Sequence, residues 1–153
     1  MSRAFVNEDG MVEELPDRLI SDHPNLVTEQ GLAQIEAALE TARREYTEAQ
    51  ASGERELLAK AGRDLRYWDA RRATAKLSSP QPDLDSVQFG HTVTIVRDDG
   101  REQTYRIVGE DEADPAQGSI SYIAPLAQAL LGKRVGDVVT AGKDDAEIAS
   151  IRL

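Results

Sequence analysis

The sequence predicts an α+β protein: an N-terminal antiparallel helical hairpin, or coiled coil, followed by a C-terminal antiparallel sheet with one short helix. Three observations support this prediction. Two apolar runs have spacings of three and four, the second half alternates with period two, and a proline-rich stretch separates them. We expect an extended N-terminal arm over 1–27, the helical hairpin over 28–77, a linker over 78–86 and the sheet domain over 87–153.

The start of the first helix is marked by its capping residues. Pro16 and Pro24 prevent a long helix within the arm. Thr28 is placed to cap the first turn, and Glu29 adds negative charge at the positive end of the helix dipole. We therefore expect the helix to begin at this threonine.

Two apolar seams predict the hairpin. The first seam consists of Leu32, Ile35, Leu39, Ala42, Tyr46 and Ala49. Gly53 then interrupts the pattern. The second seam consists of Leu58, Ala61, Leu65 and Trp68, with Arg72 as a polar break at the next position. Residues 28–56 hold seven acids and three bases whereas residues 57–77 hold two acids and six bases, so we expect two antiparallel helices of opposite charge.

The second half has the alternation of β-strands. We expect a strand over 92–95, a turn at 98–100 and an antiparallel return over 105–107. Further strands are expected around Ile120 and Tyr122, around Val138 and Val139, and over 148–153, with a short helix over 125–131 that Gly132 stops.

Composition restricts the functions open to the chain. Its 153 residues include 28 acidic and 18 basic side chains, for a formal charge of −10, and no cysteine. Disulfides, thiolate metal sites and cysteine nucleophiles are excluded, and two histidines make a histidine-based zinc centre unexpected. Since no hydrophobic signal core or membrane-spanning run is found, we expect a cytoplasmic monomer with no membrane partner. So acidic a chain is not expected to coat nucleic acid directly.

Several motifs follow one another in the second half. They are YRIVGEDEAD at 105–114, Ile-Ser at 120–121, Pro-Leu-Ala at 125–127, ALLGK at 129–133 and Val-Gly-Asp at 135–137. Together they resemble the C-terminal domain of the Gre (GreA/GreB) transcript-cleavage factors. The resemblance implies an FKBP-like domain that docks on bacterial RNA polymerase beside the secondary channel, and a coil whose acidic tip reaches the catalytic centre.

The resemblance implies a regulator of transcription elongation. Such a factor modulates the polymerase active site and is not itself the catalyst. Its contact with nascent RNA and DNA in the elongation complex is indirect. It needs no cofactor or metal of its own, and magnesium at the tip would belong to the polymerase.

The tip departs from the family pattern. The family carries an acid, two spacer residues, a second acid and then Asn-Ala, which help to hold a second magnesium ion. Here the turn reads GERELL over 53–58, so Glu54 matches the first acid, whereas Glu56 follows after one residue and no asparagine comes next. Each helix is also shorter than the family's by about one heptad, or about 10 Å of reach. We therefore expect this chain to share polymerase docking with the family more fully than it shares stimulation of transcript cleavage.

Three groups of residues are candidates for polymerase contact. The tip candidates are Glu54 and Glu56, whose alternative interpretation is solvated charge at a helix N-terminus. The docking candidates are Glu110, Asp111, Glu112, Asp114, Pro125 and Leu126. Their alternative is a solvated loop beside the core, and the acids lack the glycine and terminal glutamate of a calcium loop.

The third group is a basic patch on the return helix. Its members are Arg63, Arg66, Arg71 and Arg72, with Tyr67 and Trp68 beside them for stacking. The patch suits RNA or an acidic polymerase surface. The alternative is that these arginines pair with the acidic helix of the hairpin.

Two other functions stay open. A true cleavage stimulator would use Glu54 and Glu56, and a prolyl isomerase or chaperone would follow from the FKBP-like fold. Against an isomerase, the second half offers only Phe89, Tyr105 and Tyr122 to line a proline pocket, and a fold alone does not confer the activity.

Overall fold

The computed structural model describes residues 15–153, so the first half of the predicted arm, residues 1–14, lies outside the described residues. The chain divides into two compact units. The first contains the described residues up to Asp22 together with Ile35–Thr74, and the second contains His23–Gln34 and Ala75–Leu153. Residues 15–22 carry no regular helix or strand, as predicted for the arm.

The elements confirm the predicted fold class, a helical hairpin followed by a mostly antiparallel sheet with a short helix. In chain order they are β1 (Leu26–Val27), α1 (Glu29–Ser52), α2 (Arg55–Thr74), β2 (Lys76–Leu77), β3 (Thr92–Arg97), β4 (Glu102–Val108), a 3-10 helix (Pro115–Gln117), β5 (Ser119–Ser121), α3 (Pro125–Leu130), β6 (Val138–Ala141) and β7 (Asp144–Arg152).

The two seams of the hairpin are confirmed by burial. The buried members are Ile35, Leu39, Ala42, Ala49 and Ala61. Gly53 joins the helices with φ of +73°, a left-handed conformation that glycine adopts with least strain. Between the helices, the Arg72 Nε donates to Glu36 Oε2 at 3.0 Å, which is the predicted pairing of a basic α2 with an acidic α1.

One seam position differs from the prediction. Arg71 is only 2 % exposed, whereas Arg72, the expected seam member, is exposed and reaches Glu36 from the rim. With 3.6 residues per turn, a step of three or of four from Trp68 is equally compatible with the seam. In the structure the seam continues three residues after Trp68, so Arg71 is buried and Arg72 is exposed.

The second unit is built on a five-stranded sheet in the order β5-β4-β3-β7-β6. Three of the pairs are antiparallel as predicted, but β5 runs parallel to β4. The reason is the connection between them, in which the 3-10 helix and Gly118, with φ of +87°, carry the chain back before β5 begins. At the β3–β4 turn, the Arg101 backbone N–H donates to the Asp99 carboxylate and holds the pKa of Asp99 below its ordinary value.

One face of the sheet and α3 enclose the core. Its buried members are Val87, Val93, Ile95, Ile107, Ile120, Ala127, Leu130, Val139, Ala141, Ala146, Ile148 and Ile151. Buried and exposed side chains alternate in β6 and in most of β7, whereas in β3 the consecutive residues Val93, Thr94 and Ile95 are all buried.

The strands β1 and β2, which lie before and after the hairpin in the chain, form a small parallel ladder that the sequence did not predict. Leu26 pairs with Lys76 and Val27 with Leu77, through hydrogen bonds from Lys76 N to Asn25 O and from Ser78 N to Val27 O, each of 2.8 Å. The ladder ties both ends of the hairpin into the second unit. The observed units therefore divide the chain at other places than the predicted segments, with residues 23–34 grouped with the sheet.

Candidate functional site

The turn of the hairpin positions the two tip carboxylates. The Leu58 N–H donates to Glu54 O at 3.1 Å, which makes Glu54 the residue that caps α2. The Glu54 N–H donates to Ser52 Oγ at 3.1 Å, so the backbone of the turn is held from the α1 side. Glu54 and Glu56 are both exposed.

The tip does not have the spacing of the family's acidic pair. Glu54 precedes α2 and Glu56 is its second residue, so one residue separates the two acids, whereas the family pattern has two. Both lie at the positive end of the α2 dipole, where acidic residues stabilise a helix. Among residues 15–153 no group of three or more acidic or histidine side chains is arranged to hold a metal ion.

In the acidic loop, Glu112 has a structural role that its sequence position did not reveal. Its side chain is 7 % exposed and forms an ion pair with Arg106 at 3.6 Å. The Thr28 hydroxyl donates to Glu112 Oε1 at 2.5 Å and also accepts the Gly31 N–H at 3.0 Å. Thr28 is therefore the predicted cap of α1 and, in addition, the partner of a buried carboxylate.

The other docking candidates are differently placed. Asp111 and Asp114 line an open groove of about 580 Å³ together with Arg106 and Gln117. Pro125 is exposed at the first position of α3. The remaining two, Glu110 and Leu126, are half-buried, and Leu126 packs against the core.

The basic patch is not one surface. Arg71 is buried, which removes it from any exposed patch, and Arg63 is half-buried. Arg72 pairs with Glu36 of α1, whereas Arg66 Nε contacts Asp17 Oδ1 at 2.6 Å. The four arginines thus have four different environments, and their predicted contact with RNA or polymerase stays a prediction for the exposed Arg66 and Arg72 only.

Residues 15–22, which we call the strap, cover the aromatic side chains of α2. The Arg18 guanidinium lies 3.8 Å from the centre of the Tyr67 ring and 5.6 Å from that of Trp68. Arg18 Nη1 also contacts Asp64 Oδ1 at 3.4 Å. The two rings meet edge to face at 4.9 Å. The stacking surface expected for RNA is therefore occupied by the chain itself.

The three aromatic residues considered for a proline pocket serve the core. Phe89 and Tyr122 pack edge to face at 5.8 Å, and both contact the core with Tyr105. The Tyr122 hydroxyl donates to the Pro24 carbonyl at 2.5 Å. The structure uses these rings to fasten residues around Pro24 to the sheet.

The fold and its candidate sites define a class of protein: a two-unit protein with a charged hairpin turn and a small sheet domain, in which Asp114 and Pro125 are the exposed docking candidates. Among residues 15–153, none of the helices combines the length and apolarity needed to span a bilayer.

Comparison with known proteins gives the family. Residues 81–151 match the family described as transcription elongation factor, GreA/GreB, C-terminal. The chain is 38 % identical over 135 residues to transcription elongation factor GreA of Desulfovibrio desulfuricans, which covers 84 % of this chain and 77 % of that protein. The chain belongs to the GreA/GreB family of transcription elongation factors, and the predicted resemblance is confirmed.

Two further comparisons show how far the likeness extends. Transcription elongation factor GreB of Neisseria meningitidis is 44 % identical over 95 residues, and the match spans 58 % of each chain. Among solved structures, GreA factor homolog 1 of Thermus thermophilus aligns with 86 % of this chain and all of that one, at 20 % identity and a TM-score of 0.43.

Proposed function

We propose that this chain binds bacterial RNA polymerase, acts at its secondary channel and modulates elongation with little or no stimulation of transcript cleavage. Membership of the GreA/GreB family supports the choice of partner. The observation that carries the second half of the proposal is the tip, where the Glu54 carbonyl caps α2 and Glu56 follows after a single residue, without the spacing or the asparagine of the family pattern.

The two units have different roles in this proposal. The sheet domain provides affinity, through the exposed Asp114 and Pro125 and the groove beside them. Charge complementarity between an acidic loop and a basic polymerase surface raises the association rate more than the affinity. The hairpin enters or occludes the channel, and the polymerase supplies the chemistry and the magnesium ions.

Competition for core polymerase is the direct test of the partner. We expect the purified chain to bind core enzyme and to be displaced by an authentic GreA factor, because both would occupy the secondary channel. The measurement is a fluorescence anisotropy titration with labelled chain. Absence of binding to core enzyme would remove the proposed function.

The role of the tip is tested by a double substitution, Glu54→Ala with Glu56→Ala. We expect polymerase affinity to stay within about twofold and cleavage of RNA in a backtracked complex to stay at the intrinsic rate, since the tip lacks the acid spacing and the asparagine of the family pattern. The matched control is Glu40→Ala with Glu48→Ala, which removes two exposed acids from α1.

The cleavage assay also decides between the proposal and its main rival. If the unsubstituted chain shortens backtracked RNA strongly and Glu54→Ala abolishes this, the protein is a true cleavage stimulator. For the isomerase alternative, we expect no acceleration of a proline-containing peptide, because Phe89 and Tyr122 are committed to the core.

A further inference from the structure

Two polar side chains of the strap, Asp17 and Arg18, contact α2, whereas its large apolar side chains are exposed. Leu19 is 96 % exposed, the highest value among the large apolar side chains of residues 15–153, and Ile20 beside it is 46 % exposed. Leu15 adds a third partly exposed apolar side chain. This is the reverse of the arrangement that the hydrophobic effect favours for an isolated chain.

The strap is held in this orientation by polar contacts. Asp17 contacts Arg66 at 2.6 Å, and Arg18 contacts Asp64 at 3.4 Å while it stacks on Tyr67. A segment that is already held by contacts with a neighbouring helix loses less conformational entropy when a partner binds it. The contacts therefore prepare Leu19 and Ile20 for a partner while they leave both side chains outside the fold.

We propose that the strap is a docking element for RNA polymerase, in which Leu19 and Ile20 fill an apolar pocket that has a basic rim. This inference rests on the proposed function, because it names the same partner. The rim chemistry follows from the flanking charges. The Asp17 side chain is 70 % exposed despite its contact with Arg66, and Asp22 is also exposed, so a cationic rim complements the segment.

The charges also argue against two other partners for the strap, a second copy of this chain and nucleic acid. A second copy of this chain brings a formal charge of −10, so association of two copies through an acidic segment is opposed by their net charge. Nucleic acid is opposed by the same exposed carboxylates, and it gains little from leucine and isoleucine.

The test replaces the apolar pair, with Leu19→Ser and Ile20→Ser in one variant of the full chain. Because the side chains are exposed, thermal stability should be unchanged, while the Kd for core polymerase should rise about tenfold or more. The control is Leu153→Ser, which removes an exposed leucine that belongs neither to the strap, nor to the hairpin, nor to the docking candidates. The control should bind like the unsubstituted chain.

A second variant separates docking from masking. Arg18→Gln removes the ion pair with Asp64 and the stacking on Tyr67, so it loosens the strap while Leu19, Ile20 and the Asp17 carboxylate stay unchanged. If the strap docks, release weakens binding about threefold to tenfold, because the ordering cost returns. If the strap instead masks α2, release strengthens binding, and the inference is overturned.

The remaining outcomes separate failure of this inference from failure of the proposed function. If the unsubstituted chain binds polymerase and the Leu19/Ile20 variant binds equally well, the inference fails and the proposed function stands. If the unsubstituted chain does not bind, both fail. Sedimentation of the unsubstituted chain that shows a dimer, lost in the variant, would assign the segment to a second copy and would overturn the inference.

Discussion

Replacing Gly109 by alanine is expected to lower the free energy of unfolding of the second unit by about 3 kcal/mol. A Cβ at this position would overlap the Leu26 carbonyl oxygen and would lie 3.6 Å from Val27 Cα. These are backbone atoms of β1, which cannot move away without breaking its ladder with Lys76 and Leu77. Urea unfolding followed by circular dichroism measures the loss.

The matched control for this change is Gly62→Ala. A Cβ on Gly62 would meet Arg66 Nη1 at 3.4 Å and the Tyr46 ring at 3.5 Å, which are ordinary contacts. Since alanine is the better helix former, we expect a gain of up to about 1 kcal/mol. A Gly109→Ala protein as stable as the original would show that β1 and residue 109 are not in close contact.

The substitution Thr28→Val is expected to cost about 2 to 4 kcal/mol. Valine has nearly the same shape but removes the hydroxyl, so Gly31 N–H loses its cap and the buried Glu112 carboxylate loses a donor. The Glu112 carboxylate, which is nearly buried, then keeps its ion pair with Arg106 at 3.6 Å but has lost the hydrogen bond from the threonine.

The serine substitution provides the comparison. Thr28→Ser keeps the hydroxyl and removes one methyl group, so we expect a loss of no more than about 1 kcal/mol. Denaturant midpoints of the two variants, measured side by side, separate the hydroxyl from the packing. Equal losses for valine and serine would contradict the role assigned to the hydroxyl.

The elements that could be predicted are those whose signal is local. Thr28 caps α1 because a capping hydroxyl acts within its own turn, and the seams and Gly53 define the hairpin through spacing alone. The alternation in residues 92–95 and 105–107 likewise predicted two strands and their antiparallel pairing. The family motifs lie in this same unit, and the family was predicted from them.

The features that could not be predicted depend on residues far apart in the chain. Strands of two residues, such as β1 and β2, are too short to show a period. The strap is fixed by Asp17 and Arg18 on partners more than forty positions away, and nothing near them marks the contact. The burial of Glu112 had the same origin, since its partner Thr28 is 84 positions earlier.

The β1–β2 ladder has a consequence for how this architecture tolerates change. Because Val27 lies opposite Leu77, the strand that precedes α1 and the strand that follows α2 are neighbours, about 4.8 Å apart. The helices α1 and α2 are therefore an insertion between the two adjacent strands β1 and β2. Whole heptads added to or removed from both helices together would leave the pairing of Val27 with Leu77 unchanged, so we expect hairpins of different length to be compatible with the same sheet domain.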